Sequence, residues 1–350
     1  MIIGKSQKEI DKMRASGQLV GRVLRELRQM AAPGVTTLEI DAAAEKMIRD
    51  AGAYPTFKNY NGFPYSICAS VNEQVVHGFP SKYELKEGDI FSIDVGVTLD
   101  GFVGDTATTI AVGAVNDALL QLIRVTEECL QLAIDQCRVG NHVGDIGYVV
   151  QRHAEAHGYS VVREYVGHGI GRKMHEDPQI PNYGKPGKGP KIKKGYVFAV
   201  EPMINIGSHH TKTLQDGWTV VTLDGQPSAH VEHTIAITEE GPEVLTLVKE
   251  SALANRRDQT GGHRPLVSLR EPLLHRRLRG HDGGGERAAA RLPARARPPP
   301  GVHVPLPVDG WRRDVLGQSL RQAPGHQRLG SVPPLHAARA DRRRQARLIA

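Results

Sequence analysis

The sequence predicts an α+β fold made of two related halves, each running helix, helix, strands. Three observations predict it. Apolar residues recur at helical spacing in two pairs of segments, and each pair precedes strand-like stretches. One strand segment recurs: Lys86-Glu87-Gly88-Asp89-Ile90-Phe91-Ser92-Ile93-Asp94 aligns without gaps on Lys193-Lys194-Gly195-Tyr196-Val197-Phe198-Ala199-Val200-Glu201, 107 residues later. Composition then breaks near residue 250, which confines this architecture to the first part of the 350-residue chain.

The elements follow in order. Ser6 and Glu9 form a capping box ahead of Ile10, Met13, Val20, Val23, Leu24, Leu27 and Met30, and Pro33-Gly34 ends that first helix. Thr36 and Glu39 open a second, with Ile40, Ala44, Met47 and Ile48 on its inner face and Gly52 as its C-terminal cap. Strand-like segments fill 65–112. Helices are expected from about Asp117 to Arg138 and from about Asp145 to His157, and strand patterns return from Tyr159 into the 240s. Within the first strand region, Leu99-Asp100-Gly101 marks a hairpin, because Asp-Gly suits a two-residue turn. With Asp100 and Gly101 in the turn, the numbers of paired residues sum to 201. A looser echo of the repeat sets Val76-His77-Gly78-Phe79 beside Gly167-His168-Gly169-Ile170. Two such halves would join their sheets about a pseudo-twofold and bring equivalent acids to one centre.

The whole chain carries 45 Lys plus Arg against 38 Asp plus Glu, but the charge is unevenly placed. Residues 251–350 hold 20 Arg, no Lys and 7 acids, so they carry +13 while the first 250 carry −6. The acidic first part gives no reason to expect nucleic acid. All Phe, Tyr, Met and Cys residues lie before 251, and residues 251–350 hold 11 Pro and 11 Gly. So few large apolar side chains cannot offset chain entropy, and residues 249–350 are expected to be a disordered Arg/Pro/Gly/Ala-rich tail beyond a folded domain of residues 1–248. A polyanion-binding arm is one reading of it. An out-of-frame extension of GC-rich coding sequence is the preferred one. No apolar run is long enough to span a bilayer, and the N-terminus lacks a basic-then-apolar leader, so a cytoplasmic protein is expected. Cys68, Cys129 and Cys137, odd in number and without metal-type spacing, are read as reduced thiols.

Asp94 closes an apolar run and Asp105 sits in Phe102-Val103-Gly104-Asp105-Thr106, although Asp is disfavoured in strands and a buried carboxylate is costly unless paired or on a metal. In the hairpin register Asp94 faces residue 107, so Asp94 and Asp105 are diagonal neighbours on one face, about 7–8 Å apart at Cα. Glu201 ends the duplicate strand, Glu232 lies in His230-Val231-Glu232-His233-Thr234-Ile235, and His168 stands among glycines. Four carboxylates and one imidazole suit Mn, Fe, Co or a catalytic zinc pair rather than a closed structural zinc site. With so few ligands, carboxylates must bridge two ions about 3.5–4 Å apart.

Over residues 1 to about 248 the sequence resembles the type I methionine aminopeptidases of the bacterial kind. The shared stretches are Val76-His77-Gly78, Ile93-Asp94-Val95, Gly104-Asp105-Thr106, Gly167-His168-Gly169-Ile170-Gly171, Glu201-Pro202 and Val231-Glu232-His233-Thr234. The resemblance implies the pita-bread fold and removal of the N-terminal methionine from nascent proteins, with a small second residue preferred. It implies two divalent ions (Co, Mn, Fe or Zn) on Asp94, Asp105, His168, Glu201 and Glu232, with Asp105 and Glu232 bridging. It implies Glu201 as general base, His175 as oxyanion donor and His77 as the contact to the scissile amide nitrogen. A methionine pocket is implied between Tyr60, Phe63, His77, His175 and Trp218, with Phe57 nearby, which suits the sulfur–aromatic preference. Phe57 stands where members often have Cys, and Met174 where they often have Phe. A monomer in transient contact with ribosomes is implied too. His209, His210, His230 and His233 are read as structural or solvated, with His233 able to orient its ligand neighbours.

Two rival readings compete with this one. Sister peptidases of the same fold, cleaving before proline or opening creatine-like substrates, carry an N-terminal domain for which a catalytic half starting at residue 6 leaves no room. Non-catalytic RNA- or ribosome-docking relatives lose metal ligands, and all five positions are intact here. The type II subclass carries a helical insertion, for which the 33 residues from His168 to Glu201 and the 31 from Glu201 to Glu232 leave no space.

Overall fold

The computed structural model describes residues 2–248, and both the expected tail and its boundary lie outside the described residues. Helices α1 (Gln7–Met30) and α2 (Thr37–Asp50) lead into β1 (Tyr54–Pro55), β2 (Ile67–Val71), β3 (Gln74–Val76), β4 (Ile90–Leu99) and β5 (Phe102–Ala111). Helices α3 (Asp117–Gln136) and α4 (Val143–Ala156) lead into β6 (Ser160–Val161), β7 (Gly167–Gly169), β8 (Glu176–Ile180), β9 (Val197–Val200) and β10 (Met203–Asn205). The chain continues through β11 (Thr211–Thr213), β12 (Val220–Thr222), β13 (Ser228–His230), β14 (Glu232–Ile237) and β15 (Pro242–Val244). The expected helix, helix, strands order is therefore present twice.

Both expected capping boxes form: Ser6 with Glu9, and Thr36 with Glu39. Met30, the last of the apolar residues at helical spacing, is exposed at the end of the helix. Helix α3 ends before Arg138, as Gly140 turns the chain. Helix α4 begins two residues earlier than expected, since Asp145 reaches back to the His142 backbone N–H at 2.6 Å and acts inside the first turn rather than before it.

The duplication extends into the hydrogen bonding. The Gly34 N–H donates to Leu85 O at 2.8 Å, and the Gly140 N–H donates to Ile192 O at 3.1 Å. Isolated bridges join Thr36 to Glu84 and His142 to Lys191. The turns entering β4 and β9 both need the left-handed region, with φ of 95° at Gly88 and 83° at Gly195, which glycine enters without penalty. The looser echo fails: β7 lies beside β9 as β2 lies beside β4, so His168 corresponds to Ser70, and His77 stands just past β3 in a separate small sheet.

One nine-stranded sheet runs β1-β4-β5-β14-β9-β7-β8, with β2 on β4 and β15 on β14. Helices α1 and α2 cover its first half through Leu19, Val20, Leu24, Leu27, Ile40 and Ile48, packed on Phe91, Ile93, Val95 and Val97. Helices α3 and α4 cover the second through Leu122, Val125, Cys129, Ile146 and Val150, packed on Phe198, Val200, Ile235 and Ile237. Burying the odd residues of β4 and the even ones of β9 against helices turns Asp94 and Glu201 to the opposite face. All three cysteines are free and buried. No helix among the described residues is long and apolar enough to cross a membrane.

Candidate metal centre

The strand registers assemble the site. The hairpin pairs Asp94 with Ala107 and Gly96 with Asp105, the register read from the Asp-Gly turn. Strand β14 then sets Glu232 opposite Ala107, and farther along the same strand Thr234 opposite Ala199. Strand β7 sets His168 opposite Ala199 on that strand's other side. Paired residues share a face and alternate residues return to it, so Asp94, Asp105, His168 and Glu232 all lie on the face away from the helices. Glu201, two residues past Ala199, joins them.

His168 Nε2 lies 3.6 Å from Glu201 Oε1 and 4.0 Å from Asp105 Oδ2. Donor atoms of Asp105, His168 and Glu232 fall within 4.8 Å of one another. Asp105, His168 and Glu232 are buried, whereas Asp94 and Glu201 are half-buried at the wall of a cavity of about 330 Å³. The His168 Nδ1 nitrogen is 2.9 Å from Gly169 O, and as the donor there it leaves the Nε2 lone pair aimed into the site.

Desolvation raises the carboxyl groups. Asp94 is pushed up to about 7, with Glu201 adding to the rise while His230 opposes it. Glu201 is pushed up to about 7, with His168 opposing. Asp105 and Glu232 are raised well above the usual carboxylate range by desolvation and by the neighbouring acids. Oxygens Asp94 Oδ1, Asp105 Oδ1 and Glu232 Oε1 are buried without a hydrogen-bond partner. A buried polar atom in that state is costly, and four acids facing one another repel. Hard divalent cations among them would satisfy the orphan oxygens and reverse the repulsion, so the donor set fits such ions.

Around this centre the cavity is lined by Phe57, His77, Tyr165, Met174 and His175 as well as all five donor residues. The Tyr60 hydroxyl is 2.8 Å from His175 Nδ1, and the His175 ring lies 4.2 Å from that of His168. Tyr60, His175 and Met174 also border an adjoining cavity of about 380 Å³. Phe63 is fully buried and does not reach the first cavity's wall. It packs edge-on against Trp218 at 5.2 Å, and Trp218 stands 6.4 Å from the His77 ring. Burial forces His77 down to about 3 and His175 well below the usual imidazole value, so both are neutral at pH 7. A side chain at Gly96 would collide with the Phe57 ring, and that missing side chain lets the ring lie against the sheet beside Asp94.

Three residues near the centre escaped the sequence reading. Cys68 pairs with Asp94 across β2 and β4. Thr234 holds the Asp105 backbone by accepting from its N–H at 3.1 Å and donating to its C=O at 2.8 Å. His230, read as structural or solvated, is buried with Nε2 at 3.5 Å from Glu201 Oε2. The period of two counted back from Glu232 was the available signal for His230. His233 points the other way, 2.8 Å from Thr246 Oγ1. His209 and His210 lie together away from the five donors, near Glu164.

Residues 11–239 match the profile of metallopeptidase family M24. The chain is 54% identical over 249 residues to a methionine aminopeptidase of Clostridium perfringens, covering 71% of this chain and 100% of the relative. It is 51% identical over 248 residues to methionine aminopeptidase 1 of Bacillus subtilis, covering 71% and 100%. The crystal structure of methionine aminopeptidase from Rickettsia prowazekii superposes with a TM-score of 0.70 at 46% identity, covering 71% of this chain and 100% of that one. A prolidase from Pyrococcus horikoshii superposes at 0.59 with 21% identity, covering 72% and 65%, a likeness of fold alone. Sequence and geometry agree, and this chain belongs to metallopeptidase family M24.

Proposed function

We propose that residues 1–248 form a catalytic unit that hydrolyses the N-terminal methionine from proteins and peptides with the help of two divalent ions. The observation that carries this is the set of Asp94, Asp105, His168, Glu201 and Glu232 on one sheet face, three of them with orphan buried oxygens, at the wall of a cavity. The substrate comes from the relatives, which carry the name methionine aminopeptidase at about half identity. Asp94, Asp105, His168, Glu201 and Glu232 are the residues that would hold the two ions. When bound, such ions supply Lewis acidity toward the scissile carbonyl and acidify the attacking water.

The chain's own residues do the rest. Glu201 takes the water's proton and passes it to the leaving amine. His175 donates to the oxyanion: with the Tyr60 hydroxyl donating to Nδ1, the imidazole proton sits on Nε2, and a neutral ring keeps it there at pH 7. His77, also neutral, contacts the scissile amide nitrogen. Tyr60, His77, His175 and Trp218 border the methionine side chain, with Phe63 backing Trp218 from inside the core and Phe57 and Met174 in the same buried cluster. A small second residue is preferred. The enzyme works in the cytoplasm as a monomer that visits ribosomes transiently.

The test is hydrolysis of Met-Ala-Ser against Ala-Pro-containing peptides, before and after chelation. Activity on the methionine peptide should vanish on chelation and return with Mn, Co, Fe or Zn. Full turnover by a metal-free preparation, or preference for the proline substrate, would overturn the reading.

A further inference from the structure

We propose that His230 is a positioning residue that holds the Glu201 carboxylate through a hydrogen bond from Nε2–H to Oε2. The inference rests on Glu201 serving as ligand and base. Glu201 stands between two imidazoles, with Oε1 3.6 Å from His168 Nε2 and Oε2 3.5 Å from His230 Nε2. The two rings have different jobs. His168 has its proton occupied at Nδ1 by Gly169 O, 2.9 Å away, so its Nε2 offers a lone pair. His230 Nε2 is buried and makes no hydrogen bond among the described residues; Glu201 Oε2 faces it at 3.5 Å, and the Asp94 carboxyl is also within electrostatic reach of the ring. A lone pair there would face a carboxylate lone pair, which puts the proton on Nε2. At 3.5 Å the pair stands just beyond hydrogen-bond length, so the proposed bond requires the two side chains to close by a few tenths of an ångström.

The frame behind His230 is rigid. Its N–H donates to Thr109 Oγ1 at 2.8 Å, and that hydroxyl donates back to His230 O at 2.8 Å. Thr109 is tied in turn to Ser92 at 2.8 Å, and β13 pairs His230 with Met203, two residues beyond Glu201. The backbone that carries the ring is therefore tied to β5 and β10, which neighbour Asp94 and Glu201. With Oε1 facing His168, Oε2 is the oxygen open to a donor from the other side. His230 supplies it, fixing the rotamer in which one carboxylate both binds and receives a proton.

The test titrates Mn²⁺ into the metal-free full-length chain by isothermal calorimetry, with kcat and KM measured alongside. Removing such a supporting partner costs about 10–100-fold in ion affinity. His230→Ala should show that loss, with kcat falling more than KM rises. His230→Gln, which offers an amide N–H, should recover affinity to within about threefold of wild type, a rescue that loss of packing alone would not give. If His230→Ala fails to fold, His230→Leu fills the space without a donor and carries the same comparison. Wild-type affinity in the Ala or Leu variant, or Gln no better than Ala, overturns the proposal while leaving the metal reading intact. A wild-type chain that takes up no Mn²⁺ overturns both.

Discussion

Thr234→Val tests how the centre is held open. Between β5 and β14 the pairing reaches Glu232 with Ala107 and His233 with Thr106. At the next step the Thr234 hydroxyl takes over, bonded at 2.8 Å to the Asp105 C=O and at 3.1 Å to its N–H. Thr234 is fully buried, so water cannot replace it. Valine keeps the branched shape and leaves both Asp105 backbone groups unpartnered. Each such group costs about 1–3 kcal/mol, so the loss should be about 3 kcal/mol. For a domain of this size that lowers Tm by about 6–12 °C. Urea unfolding of the metal-free chain measures it, with Thr234→Ser as a control that keeps the hydroxyl and loses only about 1 kcal/mol of packing. Because Asp105 is displaced, Mn²⁺ affinity should also fall about tenfold or more. A valine variant within about 0.5 kcal/mol of wild type would refute the assigned role of the hydroxyl.

Glu201→Ala should lower turnover of Met-Ala-Ser by several orders of magnitude, since ligand and base are lost together, and a fall under about tenfold contradicts both roles. The metal-free protein should be less stable at pH 8 than at pH 5. Asp94 and Glu201 have folded pKa values of about 7, raised from 3.8 and 4.5, so the native state holds more protons and stability falls as pH rises from about 4 through about 7. Melting of the chelated chain checks this, and Mn²⁺ at pH 8 should restore what was lost; a flat or rising profile argues against the crowded carboxylates. A chain ending at residue 248 should keep its fold and peptidase activity, and loss of both on truncation would show that residues 249–350 are structural.

Much of the centre was readable from the sequence because its rules act over short distances. The Asp-Gly turn set the β4–β5 register, and the period of two put Asp94 and Asp105 on one face. Capping boxes at Ser6 and Thr36 marked both early helix starts from side chains three residues apart. The repeat announced Glu201 as the partner of Asp94. The proposed methionine pocket is legible only through family likeness, since aromatics such as Phe63 and Trp218 have no spacing that separates a pocket from a core.

What the tertiary structure decided is the meeting of segments far apart in the chain. That Glu232 lands opposite Ala107, that Thr234 caps the Asp105 backbone, and that His230 is sealed against Glu201 all depend on β13 and β14 docking beside strands more than twenty residues away, some more than a hundred. Local hydrogen bonding and side-chain alternation determine which face a residue takes within its own strand. Only burial of both helix pairs against one continuous sheet determines which strands become neighbours, because that choice rests on the apolar area the whole chain removes from water.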